Sequence, residues 1–128
     1  MANKMDFLII DGIRINVGVL SGIDEECDIL DRYAYRSQDG VLHREVIGSY
    51  QNYRNIKFVD QTDANYNEYE QLWEILCSPQ EFHNIKIANF EFSAYISSVK
   101  REIDYYDGDK AYHKKMTCNF TAEKPRRT

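Results

Sequence analysis

The stretch Arg44-Glu45-Val46-Ile47-Gly48-Ser49-Tyr50-Gln51-Asn52-Tyr53, running into Ile56-Lys57-Phe58-Val59, decides the fold class. It is dense in tyrosine and β-branched residues, which fit a pleated and half-buried surface. From Val41 to Val59 the pattern reads as one long strand or two consecutive ones, with Gly48 as a bulge or bend. Ile56 and Phe58 are expected to face a core, and Asn55 and Lys57 to face away from it.

Upstream, Leu8 and Ile10 alternate up to Asp11-Gly12, and Ile13, Ile15 and Val17 alternate after it. An Asp-Gly pair between two alternating runs is the strongest short hairpin signal. Tyr33 and Tyr35 alternate with Arg32 and Arg36, and Ser37-Gln38-Asp39-Gly40 marks a second turn. Between Asp24 and Asp31 lie five carboxylates without the regular spacing of a calcium loop, so a solvated strand edge or loop is expected.

Downstream, the period changes from two to 3.6. Tyr69, Leu72, Trp73 and Leu76 fall on one face of a helix predicted over Asn65 to Cys77. Asn65 and Glu68 stand in the capping-box positions, and Pro79 cannot continue the helix. Trp73 is expected to pack in the core. The strand period then returns: Ala88-Asn89 allows a turn, and Phe90, Phe92, Ala94 and Ile96 share one face. Val99, Arg101, Ile103 and Tyr105 continue the alternation in shifted phase. Asp107-Gly108 marks a further hairpin tip, and Met116, Cys118, Phe120 and Ala122 form the last strand. The polar, basic tail from about 123 to 128 is expected at the surface.

At 128 residues the chain reads as one domain, 1–128, and no disulfide or metal is needed to stabilise it. A formal net charge of -5 argues against a surface built to neutralise phosphates. Cys27, Cys77 and Cys118 lack close spacing and read as buried thiols of a reducing compartment. Met1 to Asp6 holds no apolar segment of signal-peptide length, and the longest apolar run, Phe7 to Ile10, is far too short to span a bilayer. The chain is expected to be made and folded in a cytoplasm. His43, His83 and His113 lie in separate segments, read as surface or strand histidines, and no metal site is expected from them or from the cysteines. Glycine-rich phosphate loops and nucleophile motifs are absent. No catalytic, cofactor-binding or metal-ligating residue is nominated, and an enzyme is not expected.

Several segments together resemble a family of small tail proteins of siphophages and prophages of Gram-positive bacteria. They are Asp11-Gly12-Ile13, Ile29-Leu30-Asp31, the Arg44–Tyr53 run, Tyr69-Glu70-Gln71-Leu72-Trp73-Glu74-Ile75-Leu76 with Ser78-Pro79, and Asn119-Phe120-Thr121-Ala122 with its basic tail. The chain departs from the family's pattern in the acidic block Asp24 to Asp28 and in the Asp60 to Asp63 lead into the helix. The resemblance implies a mainly β fold with one α-helix, an antiparallel β-sandwich or barrel of tail-tube type flanked by that helix. It further implies a structural component of a virion tail (tube, terminator or baseplate adaptor). Such a subunit would assemble into a ring with copies of itself, six by the tail analogy, and with neighbouring tail proteins. The alternative is a small β-sheet module that binds a ligand or peptide. Neither reading involves a cofactor, a membrane or nucleic-acid specificity. On the ring reading, hairpins such as those at Asp11-Gly12, Asp39-Gly40 and Asp107-Gly108 reach a neighbouring subunit.

Overall fold

A computed structural model describes residues 8–126. Met1 to Asp6 and Phe7, which carry the signal-peptide and apolar-run readings, lie outside the described residues, as do Arg127 and Thr128 of the tail. The elements are β1 (Leu8–Ile10), β2 (Ile13–Arg14), β3 (Asp24–Arg36), β4 (Leu42–Lys57), α1 (Tyr66–Leu76), β5 (His83–Ile87), β6 (Phe90–Asp107) and β7 (Lys110–Ala122). The strands form one antiparallel sheet in the order β2-β1-β5-β6-β7-β4-β3.

The mainly β, single-helix architecture is present, with one sheet in place of a sandwich or closed barrel. The reason lies at the two edges. β2 is only two residues long, and β3 is charged and bulged, so the strands that would have to meet offer no matching ladder. The chain after β2 provides a partial substitute for closure. Ile15 N donates to Leu8 O (3.0 Å), Val19 pairs with Phe58, and Leu20 N donates to Lys57 O (2.8 Å). The segment thus links β1 to the end of β4, burying Ile15, Val17 and Val19 as it goes. The strand itself ends at Arg14 and Ile13 is exposed, so the alternation continues to Val17 outside the assigned strands.

One sheet face carries the core. Ile10, Ile85 and Phe92 lie in register across β1, β5 and β6, and Ile96, Phe120 and Tyr53 across β6, β7 and β4. Residues directly opposite in a ladder project from the same face. Tyr69, Leu72 and Leu76 of α1 join this cluster. Trp73 is only partly buried, at the cluster's margin, with the Arg101 guanidinium 4.1 Å from its ring centre.

The helix boundaries match the expectation to within a residue, with Asn65 and Cys77 as caps, but the capping box is not made. Asn65 Oδ1 accepts from Thr62 N (2.7 Å), and its Nδ2 donates to Asp60 O (3.2 Å), so the side chain closes the lead-in loop. Of the cysteines only Cys118 is buried; Cys27 lies on the exposed edge strand and Cys77 at the helix end.

Local geometry follows local chemistry closely. Asp11 (φ 52°) and Gly12 (φ 81°) both take the left-handed conformation, as a two-residue type I′ hairpin requires. The phase shift between Ile96 and Val99 corresponds to an extra residue in β6, where Ser98 has φ 54°. A bulge at Ile47, next to Gly48, is offset by one at Arg32 on the facing strand.

Candidate assembly surface

β4 runs past the core and carries β3 with it. β7 pairs with β4 only between Tyr53 and Lys57. Beyond that, Leu30–Arg36 and Leu42–Gly48 form a ribbon of two strands with no third strand beside them. At about 3.3 Å per residue this arm projects roughly 20 Å. Ile29 is 57% exposed and Leu30 49%, and Tyr33, Tyr35, Val41, Leu42, Val46 and Ile47 are exposed as well. Neighbours in an extended strand point to opposite faces, so Ile29 and Leu30 put exposed apolar side chains on both sides of the ribbon. A two-stranded ribbon is marginally stable alone. This one is held by Arg44, which bonds Asp31 at 2.6 Å and 3.0 Å, by Arg32 against Glu45 (3.5 Å), and by the stacked rings of Tyr35 and His43. At the tip, Ser37 and Val41 N hydrogen-bond the Asp39 carboxylate and lower its pKa.

The acidic stretch at the root of this arm is an edge strand and not a loop. It is one side of the β3–β4 ladder, and each of its five carboxylates meets a polar group of β4. Asp24 accepts from Asn55 Nδ2 (2.5 Å), Glu25 from Gln51 Nε2 (3.2 Å) and Asp28 from Asn52 Nδ2 (2.6 Å); Glu26 pairs with Arg54 (3.4 Å), and Asp31 with Arg44. Asn52 is buried although polar, and its Oδ1 also accepts from Ala122 N (2.8 Å), tying β3, β4 and β7 together. Among the described residues no group of three His, Cys, Asp or Glu side chains is placed to hold a metal ion.

The β6–β7 hairpin forms a second arm. Ile103, Tyr105 and Tyr106 are exposed, Tyr106 to 69%. Its inner side rests on the start of α1: Tyr105 stacks on Tyr112, Tyr112 meets Tyr66 edge-on, and the Tyr112 hydroxyl donates to Asp63. That bond raises the Tyr112 pKa to about 12. The third hairpin tip is occupied within the chain. Asp11 Oδ1 accepts from Asn84 N (2.8 Å), and Oδ2 from Nδ1 of His83 (2.6 Å), which is buried on β5.

A polar cluster locks α1 to the sheet. Buried Gln61 accepts from His113 N (3.0 Å) and Nδ1 (2.7 Å) and donates to Glu70 (2.9 Å), which also accepts from Arg101 (2.7 Å). Tyr69 lies stacked near His113; burial pushes its phenol up to about 12, and its hydroxyl has no hydrogen-bond partner among the described residues. His83 and His113 are therefore part of the packing, and of the three histidines only His43 is exposed. The buried roles of Asn52, Gln61 and His83 leave no periodic trace in the sequence. The described tail lies at the surface but is tacked down: Arg126 N donates to Ser49 O (2.8 Å), and its guanidinium covers the Phe90 ring at 4.3 Å.

No protein-family model, no characterised protein and no solved structure matches the chain.

Proposed function

We propose that this protein is a structural subunit of a phage or prophage tail that works by self-assembly into a ring. The observation that carries the reading is the pair of hairpin arms, each bearing exposed large apolar side chains and supported by no third strand. Burying such surface is favourable at about 25 cal/mol per Å², and a monomer leaves that gain unused. An open β3 edge adds unpaired backbone groups that a neighbour can complete. The mostly β fold and the family resemblance point the same way, and they supply the virion context that the arms alone do not. The Asp11-Gly12 tip is bonded to β5, so the arms ending at Asp39-Gly40 and Asp107-Gly108 are the ones assigned to neighbouring subunits. Sixfold order follows from the tail analogy.

Electron microscopy of virions or purified tails, with this protein located by mass spectrometry and density, is the test. Its absence from the particle would sink the structural role. A cleft beside the root of the β6–β7 arm favours the rival reading of a ligand- or peptide-binding module. A small, monomeric protein that takes up a ligand there would replace assembly as the function.

A further inference from the structure

The cleft has a volume of about 460 Å³ and is lined by Leu20, Phe58, Lys57, Lys100 and Lys115 among others. The three lysines line it together with the carboxylates of Asp60 and Glu102, and Arg101 lines it as well. Arg101 is committed to Glu70, and Lys115 lies 3.8 Å from Glu102, but Lys57 and Lys100 make no ion pair among the described residues. The lining therefore combines apolar side chains with two lysines free of ion pairs among the described residues, in a chain whose net charge is negative.

We infer that this cleft receives the β6–β7 tip of a second copy, with Tyr106 in the cleft and Asp107 and Asp109 on Lys57 and Lys100. The inference rests on the assembly reading and assigns it one contact. Tyr106 is the most exposed of the exposed large apolar side chains. Asp107 and Asp109 are exposed and make no ion pair among the described residues. A tyrosine brings an apolar ring with a polar end, which suits a cleft lined by both apolar and charged residues. Charge selects this tip over the other, because the β3–β4 tip presents Arg36 and His43, and its Asp39 carboxylate is held by Ser37 and Val41. The contact is between copies, since the β6–β7 ladder from Lys100 to Asp107 separates cleft and tip by roughly 20 Å of extended strand. Tip and cleft at opposite ends of one arm make a head-to-tail contact, the kind that closes into rings.

Two reversals test this in the full-length chain, Asp107→Lys with Asp109→Lys at the tip, and Lys57→Glu with Lys100→Glu in the cleft. All four positions are exposed, so folding is expected to survive and is checked by circular dichroism. Self-association, measured by analytical ultracentrifugation at low salt, is expected to weaken at least tenfold in either variant. An equimolar mixture of the two is expected to recover it, because a reversed tip then meets a reversed cleft. A change below twofold, or no recovery on mixing, overturns the inference. A disulfide trap between Leu20→Cys and Tyr106→Cys, with Cys27→Ser and Cys77→Ser, extends the test to assembled tails. Rings that form without this crosslink would overturn the docking and leave the assembly reading standing. A chain absent from tails and monomeric at about 1 mM would remove both.

Discussion

Asn52 Nδ2 donates to Asp28 Oδ2 at 2.6 Å, from a side chain that is only 4% exposed. The same amide accepts from Ala122 N, so one side chain satisfies groups on two other strands. Asn52→Ala leaves both without that partner. It is expected to cost about 1–3 kcal/mol in chemical denaturation, the usual range for stranding buried polar groups. Asn52→Asp is expected to cost more, because it sets two carboxylates against each other. Equal stability of Asn52→Ala and the parent would mean that water replaces the amide.

Ala88 turns the β5–β6 hairpin at φ 55°, a conformation costing an L-residue roughly 1–2 kcal/mol. Ala88→Gly removes that strain and adds some unfolded-state entropy. A net gain of about 0.5–1 kcal/mol is expected, seen as a higher melting temperature. A lower one would show that the alanine methyl makes a contact worth more than the strain.

The helix face separates three outcomes. Leu72→Ala, at a fully buried position, is expected to cost about 2–5 kcal/mol. Trp73→Ala is expected to fall below the roughly 3–5 kcal/mol of a buried aromatic, because Trp73 is a half-buried shelf under Arg101. Tyr69→Phe deletes a buried hydroxyl with no partner and is expected to leave stability unchanged or raise it by about 1 kcal/mol. A clear loss in Tyr69→Phe would reveal a bound water on that oxygen.

Acid should weaken the fold in two stages. Burial and the Arg101 charge hold the His113 pKa below its ordinary 6.5. For Glu70, burial pushes upward, but hydrogen bonds from Arg101 and Gln61 outweigh it and leave the carboxyl below its ordinary 4.5. Both groups bind protons more weakly folded than unfolded, so stability rises with pH through this range. Their contributions are complete above the ordinary values and are lost as pH falls through the depressed ones. His113→Gln is expected to flatten the upper part of the decline between pH 7 and 4, and Glu70→Gln the lower part. Unfolding free energies measured at intervals across that range decide it; unchanged slopes would place the acid sensitivity elsewhere.

Much of the local architecture was legible because it depends on a few adjacent residues. Asp11-Gly12, Asp39-Gly40 and Asp107-Gly108 mark turns, since they supply the positive φ that tight turns need. The change of phase between Ile96 and Val99 marks the Ser98 bulge, and the helix face follows from its period. The capping box failed because the Asn65 side chain found a nearer donor in Thr62. Trp73 packs against the core cluster but stays only partly buried, because periodicity gives the face of a helix and not the reach of the sheet beneath it.

What the sequence by itself determined, then, is the element types, most turns and which strand faces are apolar, all properties of spacings under about ten residues. Only the tertiary structure decided the partners. The carboxylates of Asp24, Glu25 and Asp28 are met by side chains 24 to 31 positions away, and Asp11 meets His83 across 72. It also decided that the sheet stays open and that two hairpins outrun the core. Such pairings depend on register and on how far each ladder extends, which are set by the balance of strand against strand and leave no period in the chain.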